Sequence, residues 1–322
     1  SSGWYALAAY SLFFSANALF FILSGKLNLR ERDESKLGTY YYRKVRAILV
    51  PIVIFFLIRS IYDCFPELSF GSVARAFVYG AIGGFANIEY WFMFTLFGFL
   101  MAAPFLAPIF AKMGSVAAKV FIGLGIGFHA LQFVAENLGY SFGWGYPFEG
   151  FVFVFCLGAL VNRFVITWRR EKILYLVSLT CFVLAVLLKY FGWSVYVHDQ
   201  SPLYTIYSVG LFVLISKRGG ALAEAWSAKV KACITKVAEH SFSVYMIHMM
   251  VLMPCASWFC GFYGVASIGA QVGLTMVTLA LSLALAFIAD WLLIRPCQKG
   301  LDKLYALVKG LRAPKQQDEP MF

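Results

Sequence analysis

Charged side chains are scarce in this sequence. Asp, Glu, Lys and Arg together make up 13% of the 322 residues, which is about half the share found in a soluble globular domain. Hydrophobic residues make up 61%, and the mean hydropathy is +0.76. This excludes an ordinary water-soluble protein, and a lipid bilayer is the partner that such a composition predicts.

The sequence also lacks Cys-x-x-Cys pairs and several motifs that mark familiar chemistry. The seven cysteines lie largely in apolar runs, so we interpret them as small core residues and expect neither a disulfide framework nor a metal site. They are Cys64, Cys156, Cys181, Cys233, Cys255, Cys260 and Cys297. No P-loop and no His-Glu-x-x-His motif occurs, so neither an ATPase nor a metalloprotease is supported.

Nine apolar runs are candidates for membrane spans, each of which needs about 20 residues. They cover residues 4–23, 47–62, 90–111, 116–135, 149–166, 173–191, 203–216, 241–259 and 264–293. The short alternating segments of an outer-membrane barrel are not seen. We therefore predict an all-α, polytopic transmembrane helix bundle with about nine spans.

Most of the 27 Lys and Arg residues lie in five connections between these runs. The five connections cover residues 26–46, 112–119, 163–172, 217–236 and 295–315, and they alternate with connections that are poor in bases. The positive-inside rule makes the basic side cytoplasmic, with the C-terminus inside and residue 1 outside. The same distribution explains the net charge of +11 without nucleic acid as a partner.

A basic cluster precedes the second predicted span. On a helix, Arg43 and Arg46 share a face, and Lys44 lies beside them. Guanidinium groups suit a multiply charged phosphate ligand. The alternative is that these bases only fix the topology or contact anionic lipid.

A polar stripe occurs in the eighth predicted span. Ser241, Tyr245 and His248 fall on one helical face, and His248 lies about 12 Å beyond His240 along the helix axis. An ionisable side chain at that depth is a functional candidate. A structural histidine that is hydrogen-bonded to a neighbouring helix is the alternative.

Two shorter segments border other spans. Ser24 and Gly25 follow the first run, and such a pair is typical of a helix C-terminus. Glu89, Tyr90 and Trp91 begin the third run, where an aromatic belt is expected but an acidic residue is not.

Three other features bear on packing. Gly123 and Gly127 have the GxxxG spacing of helix–helix contacts. Residues 72–79 form an amphipathic stretch that predicts an interfacial or a re-entrant helix. Asp290 lies near the end of the last run, from which its side chain can extend to an interface.

In their order along the chain, these segments resemble the acyltransferase 3 family of membrane O-acyltransferases. The segments are Phe20-Phe-Ile-Leu-Ser-Gly25, Tyr42-Arg-Lys-Val-Arg-Ala-Ile-Leu-Val-Pro51, Tyr90-Trp-Phe92 and Ser241-Phe-Ser-Val-Tyr-Met-Ile-His248. The family has Phe-Phe-x-x-Ser-Gly at the first and a similar Ser-x-x-x-Tyr-x-x-His at the last. A departure is Glu89-Tyr90, where many relatives carry a His before the Trp.

The resemblance implies transfer of an acyl group, with acetyl as the expected group, from cytoplasmic acyl-CoA to a hydroxyl of a glycan or glycolipid at the outer face. Acetyl-CoA is then a co-substrate, no bound cofactor is expected, and the location is the plasma membrane of a bacterium. The implied acyl-CoA-binding residues are Arg43, Lys44 and Arg46. By resemblance, a His on the first helix of the family is the first choice for the base, and Tyr245 and His248 are secondary catalytic candidates for orientation or proton relay. The implied substrate-pocket residues are Ser24, Glu89, Tyr90 and Trp91.

Family members have ten spans, and the first carries an Arg and a His considered central to catalysis. Residues 1–23 contain neither, so we expect that helix to precede Ser1. We further expect one transmembrane domain over residues 1–311 and a disordered cytoplasmic tail over 312–322.

The sequence is also compatible with two other classes of function. A transporter or flippase of a lipid-linked or small substrate would use the polar residues to line a route. Inverted repeats would favour it, and no matching halves are visible. A non-catalytic membrane partner is the third possibility.

Overall fold

Helices make up most of the described part of the chain. The computed structural model describes residues 4–82, 90–140, 150–164, 168–193, 201–263 and 268–312. Within these ranges every regular element is a helix and no strand occurs. The all-α class predicted from the sequence is thus confirmed.

Thirteen α-helices are found in the described ranges. They are α1 (Trp4–Asn28), α2 (Leu37–Lys44), α3 (Val50–Asp63), α4 (Phe70–Ile82), α5 (Trp91–Lys112), α6 (Ser115–Asn137), α7 (Phe151–Phe164), α8 (Trp168–Tyr190), α9 (Pro202–Leu214), α10 (Gly220–Glu224), α11 (Ala228–Tyr263), α12 (Ile268–Ala289) and α13 (Arg295–Arg312). The amphipathic stretch at residues 72–79 lies within α4, so its helical conformation is confirmed.

Seven continuous helical stretches in the described residues are long and apolar enough to cross a membrane. They are Glu34–Asp63, Trp91–Lys112, Ser115–Asn137, Arg170–Tyr190, Pro202–Glu224, Ala228–Phe259 and Gly269–Lys309. They coincide with seven of the nine predicted spans. The other two predicted spans, 4–23 and 149–166, coincide with α1 and the shorter α7, and the total of nine and the cytoplasmic C-terminus stay predictions.

Three of these long stretches contain a π-helical turn beside basic residues. The turns are Val45–Leu49, Ile215–Gly219 and Asp290–Ile294. They join α2 to α3, α9 to α10 and α12 to α13, so each helix continues past the apolar run into the basic segment. The apolar runs at 47–62 and 203–216 are shorter than the usual 20 residues of a span, and the structure extends both as longer helical stretches. π-Helical turns are frequent at functional sites.

The contacts divide the chain into two compact units. Unit 1 comprises Ser1–Leu37 and Gly98–Trp226, and unit 2 comprises Gly38–Phe97 and Ser227–Phe322. The predicted tail lies outside the described residues except for Arg312, the last residue of α13.

In unit 1, α1 and α7 pack with their backbones in contact. A Cβ atom on Gly25 would lie 1.8 Å from the carbonyl oxygen of Phe155, and one on Gly158 would lie 2.1 Å from that of Ile22. The predicted helix end at Ser24-Gly25 is therefore wrong, since α1 continues to Asn28. Gly25 is present because α7 leaves no room for a side chain.

The structure also changes which glycine of α6 makes a helix contact. Gly123 and Gly127, which the GxxxG spacing placed at a helix contact, are exposed and have no described atom within 4 Å of an added Cβ. Gly125 is the packing residue, because its Cβ would lie 2.1 Å from the Phe153 ring. Two residues along a helix reach nearly the opposite face, so the contact face of α6 was assigned to the wrong side.

Unit 2 is built on α3, α4, the start of α5, and α11 to α13. Helix α11 packs along α12 and also contacts α3. Phe56 of α3 is buried, and its ring contacts Phe77, Tyr90 and Phe94 at centroid distances of 5.2, 5.6 and 5.8 Å. This aromatic core fixes the start of α5, from which Tyr90 reaches α11.

Candidate functional site

Tyr245 and His248 are neighbours on α11, as their spacing predicts. Their ring centroids are 5.3 Å apart, and both side chains are half-buried. Nδ1 of His248 is hydrogen-bonded to the main-chain carbonyl of Tyr245. A carbonyl oxygen only accepts, so Nδ1 carries the hydrogen and Nε2 of the neutral ring carries the lone pair.

Tyr90 holds this part of α11 from the neighbouring segment. It is 1% exposed, and its hydroxyl donates a hydrogen bond to the carbonyl of Met246 at 2.9 Å. Phe92 packs on Tyr245 with a ring-centroid distance of 5.5 Å. The structure thus brings Tyr90, predicted for the substrate pocket, to the segment that carries Tyr245 and His248.

The other predicted pocket residues are placed differently. The ring centroids of Trp91 and Phe92 are 6.0 Å apart. Trp91 therefore lies next to the ring that packs on Tyr245. Ser24 belongs to unit 1, where its carbonyl accepts a hydrogen bond from the Asn28 side chain at 2.8 Å. Glu89 lies outside the described residues.

The predicted acyl-CoA residues lie on α2 and its π-helical turn. Arg43 is exposed, and the Lys44 ammonium lies 5.3 Å from the Tyr40 ring centroid. Arg46 forms an ion pair with Asp302 of α13, with 2.7 Å between Nε and Oδ1. The sequence did not predict this partner, and Arg46 is held toward α13 rather than standing free beside Arg43.

Three more contacts hold α13 against this segment. The Tyr42 hydroxyl also donates to Asp302 Oδ1, and the rings of Tyr42 and Tyr305 stack with centroids 3.7 Å apart. The Gln298 side-chain amide donates to the carbonyl of Arg46 at 3.0 Å. Asp302 therefore supplies a negative charge within a cluster that the sequence presented as purely basic.

A second polar cluster, which the sequence analysis did not find, joins α11 to the turn after α12. His240 and Ser243 are 3% and 4% exposed, and Asp290 is 8% exposed. One carboxylate oxygen of Asp290 is hydrogen-bonded to Nδ1 of His240, and the other accepts from the Ser243 hydroxyl. Asp290 is therefore held between α12 and α11 by two side-chain partners that the sequence did not reveal.

A sequence model of the acyltransferase domain matches residues 2–287. The chain belongs to the acyltransferase 3 family. No curated protein and no solved structure matches the chain. The family resemblance inferred from the four segments is confirmed.

Membership of the acyltransferase 3 family supports an acyltransferase. With its apolar helices, the chain is a multi-pass membrane protein. The matched region contains Tyr245 and His248, the basic residues on α2, and His240 with Ser243, whereas Asp290 lies just beyond its end.

In this acyltransferase 3 chain, α11 presents two histidines with the same arrangement. Nδ1 of His248 donates its hydrogen to the carbonyl of Tyr245. Nδ1 of His240 donates its hydrogen to the carboxylate of Asp290. Each therefore keeps Nε2 for proton transfer. A signal for the second site was present in the sequence, because an Asp in an apolar run needs a partner and His240 is the partner it has.

Proposed function

We propose that this protein is a membrane-bound O-acyltransferase in the plasma membrane of a bacterium. It moves an acetyl group from cytoplasmic acetyl-CoA to a hydroxyl of a glycan or glycolipid at the outer face. The family match supports acyl transfer, the basic cluster supports a CoA donor, and the fixed tautomer of His248 supports a hydroxyl acceptor.

The observation that carries the proposal is the Nδ1 hydrogen bond of His248 to the Tyr245 carbonyl. A hydroxyl is a weak nucleophile, so a base has to take its proton as the oxygen attacks the thioester carbonyl. His248 Nε2 is the candidate for that role among the described residues, and Tyr90 holds the helical segment that carries it. The products are the O-acyl ester and free CoA, whose sulfur ends with the proton that the hydroxyl loses.

On the donor side, Arg43, Lys44 and Arg46 supply positive charge for the CoA phosphates. Replacing Arg43 and Arg46 together by Ala should weaken acetyl-CoA binding at least tenfold, since charged hydrogen bonds contribute about 1.5–3 kcal/mol each. The variant should still insert into the membrane. Unchanged binding would assign these bases to membrane topology alone.

On the acceptor side, Trp91 and Tyr90 border the segment with His248. An aromatic surface such as Trp91 suits the apolar face of a sugar ring.

The experiment is label transfer in native membranes. Membranes with the protein receive labelled acetyl-CoA and a panel of glycan and glycolipid extracts, and label bound as an alkali-labile ester is measured. We expect transfer by the wild type and about 100-fold slower transfer by His248→Gln, which is the lower end of the effect of a lost proton-transfer group.

His129→Gln is the matched control, because His129 is a buried histidine of unit 1 that packs on Phe153. It should leave the transfer rate within about twofold of the wild type, since it tests only loss of a buried imidazole. No transfer by the wild type across the panel and across short acyl donors would refute the proposed activity.

A further inference from the structure

Helices α6, α7, α8 and α9 of unit 1 surround an apolar cavity of about 300 Å³. Its lining includes Ile122 and Ile126 on α6, Leu160 on α7, Leu174 and Val177 on α8, and Val209 on α9. A buried water needs two to four polar partners, and no polar atom of the described residues faces this space. The cavity therefore suits an apolar occupant, and its volume is at the lower end of the range of ligand sites.

The cavity opens between α6 and α8. Both helices line it and both pack on α9, but they do not pack closely on each other. Val177 is 42% exposed, and the other described lining residues are buried or half-buried, so the mouth lies at Val177. An exposed apolar side chain within a membrane span faces lipid. A hydrocarbon chain can thus enter the cavity directly from the bilayer.

Each of the two helices at the mouth carries a base on its cavity side. Lys119 of α6 lies seven positions before Ile126, and Arg170 of α8 lies seven positions before Val177. Seven positions are close to two full turns, so each base shares a face with its lining residue and lies about 10 Å from it along the axis. Both bases are exposed, and both helices begin on the side that the sequence predicts to be cytoplasmic.

The acidic residue next to Arg170 does not cancel this positive charge. Glu171 is 5% exposed, and its carboxylate accepts hydrogen bonds from the Lys217 ammonium and the Tyr175 hydroxyl, each at 2.7 Å. Lys217 belongs to the π-helical turn after α9, so the ion pair joins α8 to that turn and neutralises Glu171. An anion near Arg170 therefore meets a positive local charge.

We propose that this cavity binds one chain of an anionic phospholipid from the cytoplasmic leaflet, with the lipid phosphate at Lys119 and Arg170. A phospholipid carries its chains and its charged head on one glycerol, which matches an apolar cavity with two bases at one end. None of these residues belongs to the proposed acyl-transfer site, so the inference does not depend on the proposed function. The bound lipid stabilises the packing of α6 to α9, because it fills a space that these helices leave open.

Lipid selectivity is the first test. The purified full-length chain in detergent receives phosphatidylglycerol or phosphatidylcholine with identical chains, and native mass spectrometry and thermal unfolding measure binding. We expect one tightly bound phosphatidylglycerol per protein and a melting temperature that rises with its concentration. Its affinity should exceed that of phosphatidylcholine at least tenfold, since each base near an anionic lipid contributes about fivefold. Equal affinities would refute the proposed headgroup contact.

Removal of the two bases tests the phosphate site. Lys119→Gln with Arg170→Gln should bring the two lipid affinities to within about twofold of each other. Lys112→Gln with Lys172→Gln is the matched control, because it removes the same charge from the same basic connections. Lys172 lies about 200° around α8 from Arg170, and α5, which ends at Lys112, contributes no described residue to the cavity wall.

The control pair should keep at least a tenfold preference for phosphatidylglycerol. An equal loss of preference in both double variants would show only a general attraction of basic residues to anionic lipid, and the proposed site would be wrong.

A plug at the mouth tests the chain site. Val177→Trp places a large ring over the opening, and the position is exposed enough to tolerate it. This variant should bind phosphatidylglycerol at least tenfold more weakly and should lose the rise in melting temperature. Leu176→Trp is the control, because Leu176 is the neighbouring residue, is 66% exposed and is not part of the cavity wall that the described residues form. Undiminished binding by folded Val177→Trp would overturn the proposal.

The double base variant keeps the test decisive if Val177→Trp does not fold, since both of its positions are exposed. Tighter binding of palmitoyl-CoA than of phosphatidylglycerol, with the same sensitivity to Val177→Trp, would assign the cavity to an acyl donor and refute the lipid site. Absence of bound phosphatidylglycerol on the wild type would also refute it, and would leave the proposed acyl transfer unaffected.

Discussion

Arg46 is paired with Asp302, a residue 256 positions later in the chain, and the pair joins the π-helical turn before α3 to α13. Both side chains are partly exposed, at 36% and 42%, so the pair contributes little to stability. In the proposed acetyl-CoA site, the Asp302 carboxylate competes with a CoA phosphate for the Arg46 guanidinium.

Replacing Asp302 by Asn should therefore strengthen acetyl-CoA binding. The gain should reach about fivefold, which corresponds to about 1 kcal/mol for an exposed ion pair. Isothermal titration of the purified protein measures it. Asp63→Asn is the control, because it breaks the ion pair with Arg59 outside the basic cluster and should leave the affinity unchanged. Weaker binding by Asp302→Asn would show that Asp302 supports the site instead of competing for it.

Replacing Tyr90 by Phe should loosen the segment that carries His248. The lost hydrogen bond to the Met246 carbonyl should cost about 0.5–1.5 kcal/mol of unfolding free energy, and kcat should fall while KM for acetyl-CoA stays the same. Thermal unfolding in detergent and steady-state rates test this. Tyr79→Phe changes a tyrosine that is 65% exposed and should alter neither quantity; a matching loss in both variants would remove Tyr90 from the site.

Replacing Gly25 by Ala should destabilise unit 1. The new methyl group would lie 1.8 Å from the Phe155 carbonyl oxygen, so α1 and α7 have to separate, at a cost near the upper end of the 1–3 kcal/mol typical of overpacking.

Gly123→Ala is the control for that change, since the same substitution meets open space on α6. It should stabilise the helix by up to about 1 kcal/mol. The difference in melting temperature between the two variants is the measurement, and similar shifts in both would contradict the packing of α1 on α7.

Much of the fold could be predicted because a bilayer constrains it strongly. Apolar runs of sufficient length have to be helices in lipid, and the pattern from Tyr245 to His248 needs only the helical period. The role of each glycine could not be predicted, because Gly25 and Gly123 look alike until the neighbouring helix is known.

The same limit applied to the polar residues. Asp290 and Asp302 each bind a partner on another helix. The residues next to them in the sequence do not indicate which partner that is. The basic residues around Arg46 predicted a charged surface correctly, but the acidic side chain that shares it comes from the far end of the chain.

The π-helical turn at Asp290–Ile294 determines which way the side chains of α13 face around the helix axis. Such a turn contains one residue more than an α-turn, and one residue corresponds to about 100° of rotation about the axis. Deleting a single residue there would restore a regular α-helix and swing Asp302 and Tyr305 away from Arg46 and Tyr42. One inserted residue thus decides whether the charged end of the last helix faces the basic cluster or the surroundings.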